Sequence, residues 1–151
     1  MRFNLGEFAA GRTYLEKGLD LYDPTDRPFY SDLLPADKLV WLRIHSGLLH
    51  MHLGHLDQAL AQHDTALGEA RRLSHPPTLA IALASRGIAG SRVCLEPGSV
   101  LQYADECLAV AGEHGLTHFR MVALIERGWC LAALGRADEG IPLLTAGLAV
   151  G

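Results

Sequence analysis

Apolar residues recur along this chain at the three- and four-residue spacing of a helix face, and they do not alternate as a half-buried strand requires. The periodicity predicts an all-α fold of about seven helices, over 7–22, 36–53, 56–73, 77–94, 98–114, 117–134 and 137–149. Several ends carry their own chemical signals. Gly54, Gly115 and Gly135 follow predicted helices, where a left-handed residue closes the last turn. Pro76, Pro77 and Pro97 stand at helix starts, where a missing N–H costs little. Pro142 is expected in about the first turn of the last helix, which tolerates it better than the interior would. Loops of two or three residues join the paired helices and make them antiparallel neighbours.

The pattern repeats. One column of positions reads Leu19, Leu67, Leu108, Leu148, at spacings of 48, 41 and 40 residues. The column before it is small: Gly18, Ala66, Cys107, Gly147. Another, eight residues before the leucines, reads Gly11, Ala59, Val100, Gly140. Upstream of three copies stand Gly47, Gly87 and Gly128, each followed six residues later by Leu53, Val93 or Leu134. Small residues recur where two helices cross closely, because a larger side chain would push the axes apart. A glycine inside a helix costs about 0.5–1 kcal/mol against alanine; recurrence at matched positions suggests close packing as the compensation. Each repeat is thus a helical hairpin, with a first-type helix carrying Gly47, Gly87 or Gly128 and a second-type helix carrying the leucine column. The division is one domain over 1–151: a half repeat 1–22, a proline-rich loop 23–35, and repeats 36–75, 76–115 and 116–151. The loop holds three prolines and accounts for the 48-residue spacing. It reads either as a functional segment or as an insertion that covers one edge with Phe29, Tyr30 and Leu33.

These residues resemble the tetratricopeptide repeat. Gly47, Gly87 and Gly128 match that family's first-helix glycine, Ala59 and Ala66 match its small second-helix positions, and Gly54 and Gly135 match its turn. The family's first-helix leucine is replaced by Ser46, Arg86 and Arg127, and its closing proline has no counterpart. The repeat is also about 40 residues long instead of the family's 34, so each helix is roughly a turn longer. In this longer form it looks like the repeat arrays of large bacterial signalling ATPases, with the stretches 6–19 and 127–141 carrying most of the similarity. The resemblance implies hairpins stacked in a right-handed superhelix. Its first-type helices would line a concave groove that grips a partner peptide.

Composition narrows the function classes. The 151 residues are 49% hydrophobic and 20% charged with a net charge of −4, which is ordinary for a globular chain and unlike a disordered one. The basic footprint of nucleic-acid binding is missing, and only two lysines, Lys17 and Lys38, are present. No apolar run reaches the ~18 residues of a membrane helix, and the first ten residues do not read as a signal peptide. Three cysteines do not make a secreted disulfide framework. A soluble, cytoplasmic protein is expected.

Enzyme signatures are missing from the sequence: it has no phosphate loop, no dinucleotide fingerprint, no nucleophile elbow and no His-Glu-x-x-His. The expectation is a non-enzyme with no cofactor. His45, His50, His52, His55 and His63 fall within nineteen residues, but no carboxylate or cysteine completes a ligand spacing, so they are read as surface or partly buried histidines. Cys94, Cys107 and Cys130 are read as small buried hydrophobes within helices. Arg86 and Arg127 share a column, and either a partner's carboxylates or local acids such as Glu126 would satisfy them.

Mapped from the shared glycine, the groove positions are Trp41, Ile44, Leu48 and Met51, then Ile81, Ile88 and Ser91, then Val122, Ile125 and Trp129. An exposed apolar stripe marks an interaction surface. Burial by a neighbouring repeat would make the same stripe core, and both readings stand at this point. The chain opens and closes on second-type helices, so Phe3, Leu5, Phe8 and Leu15 would leave an apolar flank open. That flank predicts either a fragment of a longer protein or a homo-oligomer through the terminal helices. The function expected is a non-catalytic scaffold for protein–protein contact, belonging to or partnering a bacterial signalling protein. The alternative is a regulatory sensor that binds a small ligand in the groove, which a deep pocket with polar groups would favour. No nucleic-acid or membrane partner is expected.

Overall fold

The computed structural model describes residues 6–27, 36–93 and 96–149. Seven α-helices follow one another through these residues, with no strand among them: α1 (Phe8–Asp20), α2 (Lys38–His52), α3 (Leu56–Leu73), α4 (Pro76–Arg92), α5 (Pro97–Glu113), α6 (Thr117–Ala133) and α7 (Ala137–Leu148). A single 3-10 turn, Pro24–Asp26, lies between α1 and α2 within the expected loop. Phe29, Tyr30, Leu33 and Cys94 lie outside the described residues, as do Phe3 and Leu5.

The helix limits follow from local chemistry. Gly54 and Gly135 take φ of +80° and +81°, the left-handed turn that lets α2 fold back into α3 and α6 into α7. Pro76 and Pro97 occupy the first positions of α4 and α5, where their missing N–H leaves no bond broken. Pro142 departs from expectation. It is the sixth residue of α7, inside the helix, where its ring removes the N–H that would bond the Asp138 carbonyl. Asp37 caps α2 by accepting from the Val40 N–H at 3.1 Å, and its own N–H donates to the Thr78 hydroxyl at 2.9 Å, joining the starts of α2 and α4. Arg27 adds a second tie, reaching Asp37 at 2.8 Å and Glu69 of α3 at 2.7 Å.

Each helix packs on the next, and the even-numbered, first-type helices also pack on one another, α2 on α4 and α4 on α6. The last hairpin is antiparallel at close quarters. A Cβ on Gly128 would stand 2.7 Å from the Gly140 carbonyl oxygen and 2.9 Å from Leu144 Cγ. Further along, one on Gly147 would meet Ile125 Cγ1 at 2.7 Å and the Met121 oxygen at 3.1 Å. The first hairpin crosses likewise at Gly47, against the His63 ring at 2.7 Å and the Ala59 oxygen at 3.1 Å. Gly87 differs, because its nearest neighbour is Tyr103 Cβ at 3.9 Å, which leaves room for a methyl group. Close approach therefore compensates the helical glycines at Gly47, Gly128 and Gly147, but not at Gly87.

One core runs through the stack. Val40, Ile44, Ala66, Leu67, Ala70, Ala82, Leu83, Ala84, Cys107 and Ala123 form a single buried cluster drawn from α2 to α6. Alanine dominates it, as close helix approach requires.

Candidate functional site: the first-type helices and the polar junction beneath them

The structure divides the predicted apolar stripe. Ile44 is 2% exposed and belongs to the core cluster, with Leu48, Ile81 and Val122 packed against it. Ile44 is sealed, which corrects its assignment to an open groove, whereas Leu48, Ile81 and Val122 are packed on that core with part of their surface still exposed, on helices α2, α4 and α6, of which α4 contacts the other two. Ile125 turns towards α7, lying against Gly147. Trp41, Met51, Ile88, Ser91 and Trp129 stay half-buried on α2, α4 and α6. Trp41 is held by its own helix. Its ring stacks on His45 with centroids 3.5 Å apart, and His45 Nδ1 donates to the Trp41 carbonyl at 2.9 Å. Of the predicted self-association residues within the described chain, Phe8 and Leu15 are half-buried on α1, and Phe8 stacks on His52 of α2.

Between successive hairpins the structure sets an ion pair twice. Arg86 of α4 binds Asp64 of α3 through Nε and Oδ1 at 2.5 Å, and Arg127 of α6 binds Asp105 of α5 in the same way at 2.6 Å. Both arginines and both aspartates are 41 residues apart. The partner acid thus comes from the second helix of the preceding hairpin instead of from Glu126. Glu126 is itself half-buried beside Ser91 and Arg92 of α4, and burial raises its carboxyl above the usual range. The shared 41-residue interval of the two Asp–Arg pairs was the available sequence signal.

The first of these junctions is the more enclosed. The Arg86 side chain is 8% exposed against 34% for Arg127. Its guanidinium carbon lies 4.9 Å from the centre of the Tyr103 ring, and its Nη1 is buried without a hydrogen-bond partner. His63 beside it is 1% exposed, and neither ring nitrogen has a partner. Burial, then the Arg86 charge, pushes its imidazole down to about 4, so it is neutral at pH 7. His63 was expected as a surface or partly buried histidine, and it is sealed instead. Its column reads Leu15, His63, Ala104, Leu144, and those apolar mates were the signal that it faces inward.

The remaining histidines are engaged locally. His52 Nδ1 donates to the Leu48 carbonyl at 2.7 Å, and the Nδ1 atoms of His50 and His55 are 3.5 Å apart. Among the described residues no group of three or more His, Cys, Asp or Glu side chains could hold a metal. Cys107 and Cys130 are fully buried, and burial raises their thiols to about 12 and about 11, which leaves them protonated and unreactive. No helix among the described residues is long and apolar enough to cross a membrane. Comparison with family models and with curated proteins finds no match to this sequence.

Proposed function

We propose that this chain is a non-catalytic, tetratricopeptide-like repeat module that holds a protein or peptide partner on its first-type helices. The observation that carries this reading is the split within the apolar stripe. Its inner members lock the repeats together, while two tryptophans, Trp41 and Trp129, remain half-buried on α2 and α6. Large aromatic rings held in place at a surface are the anchors that dominate protein interfaces. The partner belongs to a bacterial signalling system, the setting of the arrays this repeat resembles, and the protein works in the cytoplasm. The chain also self-associates through its terminal helices.

Affinity capture on the immobilised chain, wild type against Trp129→Ala, tests the partner reading. A captured protein lost in the variant, with melting temperature unchanged, supports it. A drop in melting temperature with capture unchanged makes Trp129 core and removes the reading.

A second reading is favoured by one observation. Arg86 Nη1 and both nitrogens of His63 are buried and unsatisfied, as in a site awaiting a small anionic ligand. A regulatory sensor of this kind gains thermal stability from a carboxylate or phosphate compound. Arg86→Ala abolishes that gain, whereas Trp129→Ala leaves it intact.

A further inference from the structure

The turn between α2 and α3 sets two imidazoles edge to edge. His50, in the last turn of α2, is 9% exposed, and His55, just past Gly54, is exposed. The backbone fixes their spacing. Gly54 takes φ of +80°, and the His55 N–H donates to the His50 carbonyl at 2.8 Å, so the two residues are tied main chain to main chain. Their rings are tilted by 43°, with centres 5.7 Å apart and Nδ1 atoms 3.5 Å apart. They therefore meet through their nitrogen edges and not their faces.

The distance decides between two explanations of that approach. A well-made hydrogen bond from a ring N–H brings the heavy atoms to about 2.7–3.2 Å, so the pair at 3.5 Å is held only weakly by a shared proton. Two imidazole nitrogens bound to one zinc ion at ~2.0–2.1 Å, with a tetrahedral angle between them, stand about 3.4 Å apart. The Nδ1 atoms thus have the spacing of a chelate. The outer torsion of a histidine side chain is soft, and a small turn of each ring aims both lone pairs at one point.

The surroundings suit a cation of modest affinity. Burial, then His55 and Arg12, hold the His50 imidazole below its usual range, so it is neutral at pH 7 and free to present a lone pair. On α1 the charges of Arg12 and Glu16 both reach His50, and the two side chains lie 3.4 Å apart; the arginine disfavours a cation and the glutamate offsets it. No third histidine, cysteine or carboxylate completes the pair among the described residues, so water takes the remaining positions, and the exposed edge of His55 is the way in. His52, three residues before His55, is committed elsewhere: its Nδ1 donates to the Leu48 carbonyl at 2.7 Å and its ring stacks on Phe8.

We propose that the α2–α3 turn is a two-histidine chelate for a divalent transition ion of the zinc, nickel and copper class, held by Nδ1 of His50 and Nδ1 of His55. Imidazole nitrogen suits those ions. An ion there clamps the end of α2 to the start of α3, and because it needs the folded turn it stabilises the fold by mass action. The site is independent of the partner reading.

Calorimetric titration of the intact chain with zinc chloride at neutral pH tests it, beside His55→Ala and His52→Ala. His55 is exposed and its side chain makes no capping hydrogen bond to α3, so its loss leaves the fold in place. Wild type and His52→Ala are expected to bind one zinc per chain with similar affinity. His55→Ala binds about tenfold or more weakly, since one of two linked ligands is gone. Nitrogen NMR shows the Nδ1 atoms of His50 and His55, and not their Nε2 atoms, moving as zinc is added. Affinity falls as pH drops below about 6.5, where protons compete for the imidazoles. Zinc held as tightly by His55→Ala as by wild type means an adventitious ion only and overturns the site, as does the absence of binding up to about 1 mM zinc. A loss in His52→Ala equal to that in His55→Ala overturns the assignment to His50 and His55, and movement at Nε2 in place of Nδ1 overturns the chelate.

Discussion

The first and last hairpins cross at glycines 81 residues apart, Gly47 on α2 and Gly128 on α6, yet they fill the crossing differently. The last is closed by backbone and leucine: Gly128 meets the Gly140 carbonyl and Leu144. The first is closed by His63, a buried imidazole with no partner, under the buried guanidinium of Arg86. The shape of the crossing is thus common to both, and its chemistry is not. At its crossing the last hairpin is closed by packing alone, although elsewhere on α6 Glu126 keeps a buried Oε2 without a partner. The first carries unsatisfied polar groups at the crossing itself, which cost stability and make that crossing the more responsive to pH and to anions.

The largest effect expected from this contrast is at Gly128. A methyl group there would meet backbone atoms of Gly140 and Leu144 at 2.7 and 3.0 Å, and backbone cannot step aside. Gly128→Ala is expected to cost about 3 kcal/mol in urea unfolding, at the upper end of overpacking penalties. Gly47→Ala is expected to cost roughly half as much, because its main obstacle is a side chain that can turn.

Acid is expected to separate the hairpins next. His63 titrates at about 4 when folded against 6.5 unfolded, so the unfolded chain binds the extra proton first. Stability is full above pH 6.5, falls as pH drops through the window to about 4, and levels off below it. The loss assigned to His63 is about 3 kcal/mol. His63→Leu, which copies Leu144, should remove that part of the acid sensitivity and raise stability at pH 7. Equal acid sensitivity in the two proteins would show that His63 is not the cause.

The two ion pairs sharpen the comparison further. Arg86→Ala is expected to cost about 2 kcal/mol, since it strands a guanidinium-shaped hole beside Tyr103 and frees Asp64, whose 55% exposure softens the loss. Arg127→Ala, at a junction where both partners are a third or more exposed, should cost about 0.5 kcal/mol. The smallest effect is at Ser74, a non-glycine residue at φ +52° ending α3. Ser74→Gly should raise stability by about 0.5–1 kcal/mol, read as a small increase in melting temperature.

Helix class, number and limits were legible in the sequence to within two residues, because Gly54, Gly135, Pro76 and Pro97 mark ends by backbone geometry alone. The place of Pro142 was misjudged by counting it into the first turn, where N–H groups have no partner, when it stands beyond them. The apolar stripe did not carry the burial of its own residues. Periodicity shows which face of α2, α4 and α6 is apolar, and only the packing of these helices on one another decides that Ile44 is sealed while Trp129 stays half-buried. The Asp64–Arg86 pair escaped notice because it joins different repeats, and the phase between helices is not written in either one alone. His63 escaped for a related cause, since its residue type speaks for the surface and its column for the interior.

The central claim is that the recurring small residues mark equivalent helix crossings, and double-mutant cycles in urea unfolding test it most directly. The pairs are Gly47→Ala with His63→Ala and Gly128→Ala with Leu144→Ala, with Gly47→Ala and Leu144→Ala as the control. Truncating the facing side chain should relieve the added methyl most at Gly47, whose nearest obstacle is the His63 ring, giving favourable coupling of about 1 kcal/mol or more there, a smaller coupling at Gly128, where the Gly140 oxygen stays in place, and none in the control. Coupling near zero at both crossings, or as large in the control, would contradict it.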